Sequence, residues 1–172
     1  GVSVNSGDNI IEMCYLARSF NQHIGYWSVC SVANMATLFR GAHSFDQTIG
    51  CLFLGFVAHL ELLFHATPLA SAVGDWSVNS VNDMNAMFYN ARSFNQPIGD
   101  WFVGSVTNTA AMFRGVHSFD QPIGSWSVGL VTYMQRMFQD TPFDQPVGDW
   151  SVNSVIDMDA MFYHARSFYQ PI

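Results

Sequence analysis

The chain has 172 residues and a formal net charge of −7, with six arginines and no lysine against eleven aspartates and two glutamates. An acidic surface repels phosphate backbones, so we expect no nucleic-acid partner. Apolar residues make up 49% of the chain and include 15 phenylalanines, enough for an extended core. The longest apolar stretch, residues 51–64, is interrupted by His59 and Glu61 and is too short to cross a bilayer. We therefore predict no membrane insertion.

A single motif recurs at a nearly constant interval along the whole chain. Its copies open at Phe20, Phe45, Leu69, Phe94, Phe119, Phe143 and Phe168, so the intervals are 25, 24, 25, 25, 24 and 25. A constant period in this range is typical of coils that stack and share one core. We predict a single array over residues 1–172, with a partial coil at 1–19, coils starting at 20, 45, 69, 94, 119 and 143, and a partial coil at 168–172.

A longer period of three coils overlies the first. Residues 75–98 and 149–172 agree at 20 of 24 positions. Some charged residues follow only this longer period. They are Arg18, Arg92 and Arg166, then Arg40 with Arg114, and His43 with His117. Either these side chains share a function that repeats every third coil, or the pattern records a duplication without functional meaning.

Within one coil, the spacing of apolar residues changes. Phe94, Gln96 and Ile98 alternate as in an extended strand, and Gly99 and Asp100 supply a turn. A second short extended piece contains Trp101 and Val103.

The following segment predicts a short helix. In the preceding coil, Val81, Met84, Phe88 and Ala91 have the spacing of one buried helical face. Ser80 followed by Asp83, like Ser154 followed by Asp157, resembles a capping box at the start of that helix. The pattern therefore predicts an α/β repeat solenoid with one helix per coil, with the tryptophans at 27, 76, 101, 126 and 150 in one column.

The runs SFNQPIGDWSVNSVNDMNAMF and SFDQPIGSWSVGLVTYMQRMF resemble the repeats of BspA-type leucine-rich-repeat surface proteins. The resemblance covers essentially the whole chain. It implies a leucine-rich-repeat-like solenoid of about seven coils, a cell-surface or extracellular location, a role in adhesion or scaffolding, and no enzymatic activity.

The coil at residues 45–68 departs from the pattern. Leu52 and Leu54 fall where other coils carry polar residues, which makes them a candidate apolar contact patch, unless the sequence there is uncertain. A glutamine also recurs between two core positions in most coils, and we expect these amides to point inward and bond neighbouring coils as a ladder. The ladder comprises Gln22, Gln47, Gln96, Gln121, Gln145 and Gln170.

No motif indicates a catalytic, metal or cofactor site. The six histidines are never paired at metal-ligand spacing, and Asp157 with Asp159 lack the other ligands of a calcium loop. Cys14, Cys30 and Cys51 occupy three different phases of the repeat, which does not fit a disulfide framework. No nucleophile elbow or phosphate loop is present. We therefore expect no enzyme activity, no metal and no cofactor.

The two ends of the sequence favour self-assembly. Residues 2–20 align without a gap on residues 76–94, and the chain stops within a coil, so neither end carries the polar cap of a monomeric solenoid. We predict a non-enzymatic structural protein that polymerises head to tail into a surface or extracellular filament. The candidate interface comprises Gly1, Val2, Ser3, Val4, Tyr169, Gln170, Pro171 and Ile172. The alternative is a monomeric cell-surface module that binds a glycan or a protein.

Overall fold

A computed structural model describes residues 10–25, 27, 32–48 and 54–172. Within these ranges there is no helix and no strand longer than one residue. Isolated parallel bridges connect the coils and join Asn34 to His59, His59 to Asp83, Asp83 to Asn108, Asn108 to Tyr133, and Tyr133 to Asp157. The predicted α/β solenoid of leucine-rich-repeat type is therefore wrong, and the coils consist of turns and irregular segments.

Each coil is a series of β-turns that begin and end on core residues. In the coil after Phe94, backbone N–H groups bond the carbonyl three residues back at Trp101, Val106, Met112, Val116 and Phe119, with N···O distances between 2.9 and 3.4 Å. All five of these side chains are buried. Because every turn returns the chain to the core, a coil closes around apolar side chains without a helix.

Successive turns explain why the sequence resembled a helix. Two consecutive turns, at residues 84–87 and 88–91, place Met84, Met87, Phe88 and Ala91 on the core side. These positions are i, i+3, i+4 and i+7, the same spacing that one face of a helix buries. The backbone differs at Ala86 (φ 50°) and Asn90 (φ 57°), the third residue of each turn. A positive φ there is what a type II turn requires and a right-handed helix forbids.

Most backbone hydrogen bonds between neighbouring coils run in one direction. The N–H groups of Met84, Ala86, Phe88 and Asn90 each donate to a carbonyl of the following coil, over 2.8–3.0 Å. The same pattern holds from the coil of Met35 to that of Met134. This segment of each coil thus directs donors toward the C-terminal end of the stack. A smaller set runs the other way, in which the N–H groups of Asn82, Thr107, Thr132 and Ile156 donate to the preceding coil.

Aromatic rings fill the centre of the stack in two columns. The first contains the phenylalanines that open the coils, and the second contains those within the turn segment, such as Phe88, Phe113 and Phe138. A ring of the second column lies 3.8–4.0 Å from the phenylalanine that opens the next coil, as Phe88 does from Phe94. Rings of adjacent coils in the second column lie 5.4–6.0 Å apart. Because each interior ring contacts rings above and below, a coil is stabilised by its neighbours.

Polar groups that the helical interpretation assigned to caps instead bond adjacent coils. Ser80 donates its hydroxyl to the carbonyl of Gly55, and Ser154 to that of Gly129, both at 2.7 Å. The capping-box interpretation was therefore wrong. The tryptophans at 76, 101, 126 and 150 are buried, and the indoles of Trp101 and Trp126 stack in parallel at 6.5 Å.

Candidate functional site

The face of the last coil carries a cluster of exposed apolar side chains. Val152 and Met158 are each 40% exposed, and Ile172 is 85% exposed. Together with Val147, Gly148, Trp150, Met161 and Phe162 they line an open hollow of about 340 Å³. In the interior coils, side chains of these types face the next coil, so this face is a stacking surface without its neighbour.

The same face carries unpaired backbone donors. Met158, Ala160, Phe162 and His164 correspond to the four residues at 84, 86, 88 and 90, whose N–H groups donate to the next coil. Within the described part of the chain, these four N–H groups have no acceptor. An apolar hollow bordered by aligned N–H groups can accept a coil that presents a matching row of carbonyls.

The N-terminal side presents acceptors of that kind. Cys14 and Leu16 donate to the carbonyls of Leu38 and Arg40 in the next coil. The equivalent carbonyls of the preceding coil belong to Met13 and Tyr15, and among the described residues no backbone donor reaches either of them. Among the described residues, the carbonyls of Met13 and Tyr15 therefore match the N–H groups of Phe162 and His164.

The residues predicted as a subunit interface divide into two groups. Gly1, Val2, Ser3 and Val4 lie outside the described residues. At the other end, Tyr169, Pro171 and Ile172 are exposed, and Gln170 is half-buried. Only Ile172 contributes to the apolar hollow; Gln170 donates to the carbonyl and to Oδ1 of Asp144, both at 3.0 Å.

The predicted glutamine ladder does link coils, but it lies on the surface. Gln22 is exposed, and the other five glutamines are half-buried. Gln47, Gln121 and Gln145 donate to side chains one coil earlier, those of Asn21, Asn95 and Asp120, each at 3.0 Å. Gln96 donates to the backbone carbonyl of Ala70, where no side-chain acceptor exists. The inward orientation was therefore wrong. The side-chain acceptor, where there is one, is the Asn or Asp that precedes the glutamine of the coil before.

Of the apolar contact patch predicted at residues 52 and 54, Leu54 is not on the surface. Leu52 lies outside the described residues. Leu54 is fully buried and belongs to the core, with its N–H bonded to the carbonyl of Ser77 at 3.2 Å. Leu54 stands nine residues after Phe45, as the buried Val78 and Val103 stand nine residues after Leu69 and Phe94, so its phase is a core position of the repeat and its assignment to a polar phase was wrong.

Two polar hollows recur at the three-coil period. The first, about 440 Å³, is lined by His43, Ala66, Thr67, Pro68, Asn90, Arg92 and Ser93. The second, about 330 Å³, is lined by His117, Asp140, Thr141, Pro142, His164, Arg166 and Ser167. Each member of the second set stands three coils after its counterpart in the first. The histidines and arginines that followed the longer period in the sequence are thus brought together.

Two ionisable side chains near the N-terminal half have shifted pKa values. Burial, together with the nearby charges of Arg40 and His43, lowers the pKa of His65 below its ordinary 6.5. Burial raises the pKa of the Cys14 thiol, which makes the thiolate scarce.

Comparison with known proteins assigns the chain to a family. A family model described as "Mycoplasma protein of unknown function, DUF285" matches residues 3–67 and 58–172. The chain belongs to this DUF285 family. The resemblance to BspA-type leucine-rich-repeat proteins is thereby corrected, since the match is to a different family and the described coils lack a helix. No curated protein and no solved structure matches the chain.

In the described ranges of this DUF285 protein, no group of three His, Cys, Asp or Glu side chains could hold a metal ion. The same ranges contain no helix that is long and apolar enough to cross a membrane.

Sequence reasoning missed most of the open face and both hollows as sites. The three-coil period of arginine and histidine was the available signal for the hollows. For the open face, the signal was the near identity of residues 75–98 and 149–172. The first of these segments lies within the stack, so its buried side chains show which side chains of the second segment need a covering coil.

Proposed function

We propose that the protein is a non-enzymatic structural repeat protein that assembles head to tail, with the open face of the last coil stacked on the first coil of a second copy. The observation that carries the proposal is the exposure of Val152, Met158 and Ile172 on a face whose interior equivalents are buried. Burial of one such side chain contributes roughly 1.5 to 3 kcal/mol, so several together favour association.

Hydrogen-bond direction supports a second copy as the occupant. Stacking the first coil on the last would place the carbonyls of Met13 and Tyr15 opposite the unpaired N–H groups of the last coil. That arrangement repeats the ladder of the interior. The interface is heterologous, because two different faces meet, and such contacts continue into a fibre unless their rotation closes a ring.

The proposal includes an extracellular or cell-surface location. Protease treatment of intact cells tests this part. Loss of the protein without cell lysis is the expected result, and complete protection would contradict it.

The experiment on assembly compares two matched glutamate substitutions. Met158→Glu places a charge in the open face, whereas Leu130→Glu places one on an exposed side chain in an interior coil. Light scattering and electron microscopy should show concentration-dependent fibres for the wild-type chain and for Leu130→Glu, and monomers for Met158→Glu. A wild-type chain that stays monomeric at high concentration would contradict the proposal. If the natural chain is longer and its own next coil covers the face, that longer chain would also be monomeric. Its greater length distinguishes this case from a failure of assembly.

The alternative function is a binding module on the cell surface. The two polar hollows favour it, since each combines a histidine, an arginine and a serine in a recess of ligand size. A stable monomer with intact hollows would make this the better account.

A further inference from the structure

The two polar hollows arise from shortened loops. Beside His43, Phe45 follows Phe39 by six positions, and beside Arg92, Phe94 follows Phe88 by six. In the coil between them, Leu69 follows Phe64 by only five. The short loop, Thr67 and Pro68, is therefore recessed between its neighbours. His43 and Arg92 occupy the same loop position on either side of it, two coils or about 10 Å apart.

The floor of each hollow is fixed by the same hydrogen bond. The hydroxyl of Thr67 donates to the carbonyl of Phe64 at 2.9 Å, and the hydroxyl of Thr141 to that of Phe138 at 2.7 Å. Both threonines are buried. With its hydroxyl proton committed, the threonine holds the recess in shape, while the histidine, arginine and serine at the rim remain directed to solvent.

The hollows differ at two positions, and the one at residues 66 and 140 decides their charge. The second contains Asp140, whose Oδ1 lies 3.1 Å from Nδ1 of His164. The first has Ala66 and Asn90 at the equivalent places. The described residues that line the first hollow are thus all neutral or basic, and Arg40 and His65 lie close by. The second hollow holds a carboxylate of the chain itself, whereas the residues that line the first hollow supply none to Arg92.

We infer that the first hollow binds the carboxylate of a small external acid of monosaccharide size beside Arg92, where the lining residues supply no carboxylate of their own. Arg92 presents a planar fork that suits a carboxylate, and Ser93 and Asn90 can donate further hydrogen bonds. The volume of about 440 Å³ is adequate for one sugar ring. The net charge of −7 disfavours a long polyanion and favours a single acidic group.

The site lies in the coils of residues 43–93 and does not include the open face at residues 152–172. Its test is therefore independent of head-to-tail assembly. A monomeric protein could bind the acid, and a fibre-forming protein could fail to bind it.

The experiment titrates the full chain with glucuronate, with acetate as the free-carboxylate probe and glucose as the neutral sugar. We expect calorimetry to show one saturable glucuronate site and no glucose binding. Competition by acetate identifies the carboxylate alone as the recognised group; glucuronate binding without acetate competition shows that the sugar ring is also needed. Glucose binding as tight as glucuronate binding, or no saturable binding of glucuronate, would overturn the inference.

Variants that exchange features of the two hollows extend the test. Ala66→Asp should abolish the site by supplying an internal carboxylate, and its backbone is suited to aspartate because Ala66 and Asp140 both have φ 58°. Arg92→Gln should weaken binding about tenfold or more, whereas Arg136→Gln, which removes the same charge elsewhere, should not. Asp140→Ala should create a second site. Unchanged binding in both Ala66→Asp and Arg92→Gln would refute the assignment.

Discussion

Residues 75–98 and 149–172 are nearly the same sequence in two different surroundings. Met84 is fully buried, whereas its equivalent Met158 is 40% exposed; Ile98 is fully buried, and Ile172 is 85% exposed. The interior copy is followed by another coil, and the last copy has none in the structure. A coil's burial, and hence most of its stabilisation, is therefore decided by its neighbour and not by its own residues.

Truncating one methionine in each copy should separate the two regions most clearly. Met84→Ala should lower the free energy of unfolding by about 2 to 5 kcal/mol, because it leaves a cavity in a packed core. Met158→Ala should cost less than about 1 kcal/mol in dilute solution, since its side chain is already partly solvated. Denaturant titration of both variants at low protein concentration measures the difference. Equal losses would mean that the last coil is covered even in the monomer.

A glycine series should give a smaller difference. An added Cβ at Gly99 would lie 2.6 Å from the carbonyl oxygen of Pro122 in the next coil, and one at Gly148 would lie 3.0 Å from that of Pro171. Gly99→Ala should therefore destabilise by about 1 to 3 kcal/mol, and Gly148→Ala by less, because residues 171 and 172 can shift away. Gly129, whose Cβ would meet nothing within 4 Å, is the control. Equal decreases in melting temperature for Gly129→Ala and Gly99→Ala would argue against close contact between coils.

The smallest expected effect is a dependence of folding stability on pH, caused by the half-buried His65. Its pKa is lowered in the folded protein, so the unfolded state binds the proton more readily. The stability that depends on neutral His65 is fully present above pH 6.5 and is lost as the pH falls below that value toward the folded pKa. His65→Gln, which copies Gln139 at the equivalent position three coils later, should show a smaller decrease in melting temperature between about pH 8 and pH 5.5. The same pH dependence in both proteins would assign the effect to other groups.

The repeat itself could be read from the sequence, because the spacing of Phe94, Phe119 and Phe143 needs no knowledge of backbone conformation. The conformation could not be read in the same way. Two turns in succession bury i, i+3, i+4 and i+7, as a helix does. Asn90 is of a residue type that adopts positive φ readily, but Ala86 carries no sequence mark of its positive φ. Alanine is a strong helix former, so local propensity favoured the wrong answer.

The candidate sites were only partly predictable. Ile172 was placed among the interface residues because it ends the sequence at a core phase, and it is exposed in the structure. Met158 has the core spacing of Met84, and the pattern does not show which coil lacks a neighbour. The first hollow depends on Thr67 and Pro68 being recessed between two longer loops, which is a relation among three coils and is not visible within any one of them.

Hydrogen exchange of two matched sets of backbone amides distinguishes an open last coil from a covered one. In the interior, the amides of Met84, Ala86, Phe88 and Asn90 are bonded to the next coil and should exchange slowly at every concentration. If a second copy covers the last coil, the amides of Met158, Ala160, Phe162 and His164 should exchange rapidly in dilute solution and become protected as concentration rises. Rapid exchange of these four amides at all concentrations, with the interior four protected, would contradict head-to-tail stacking.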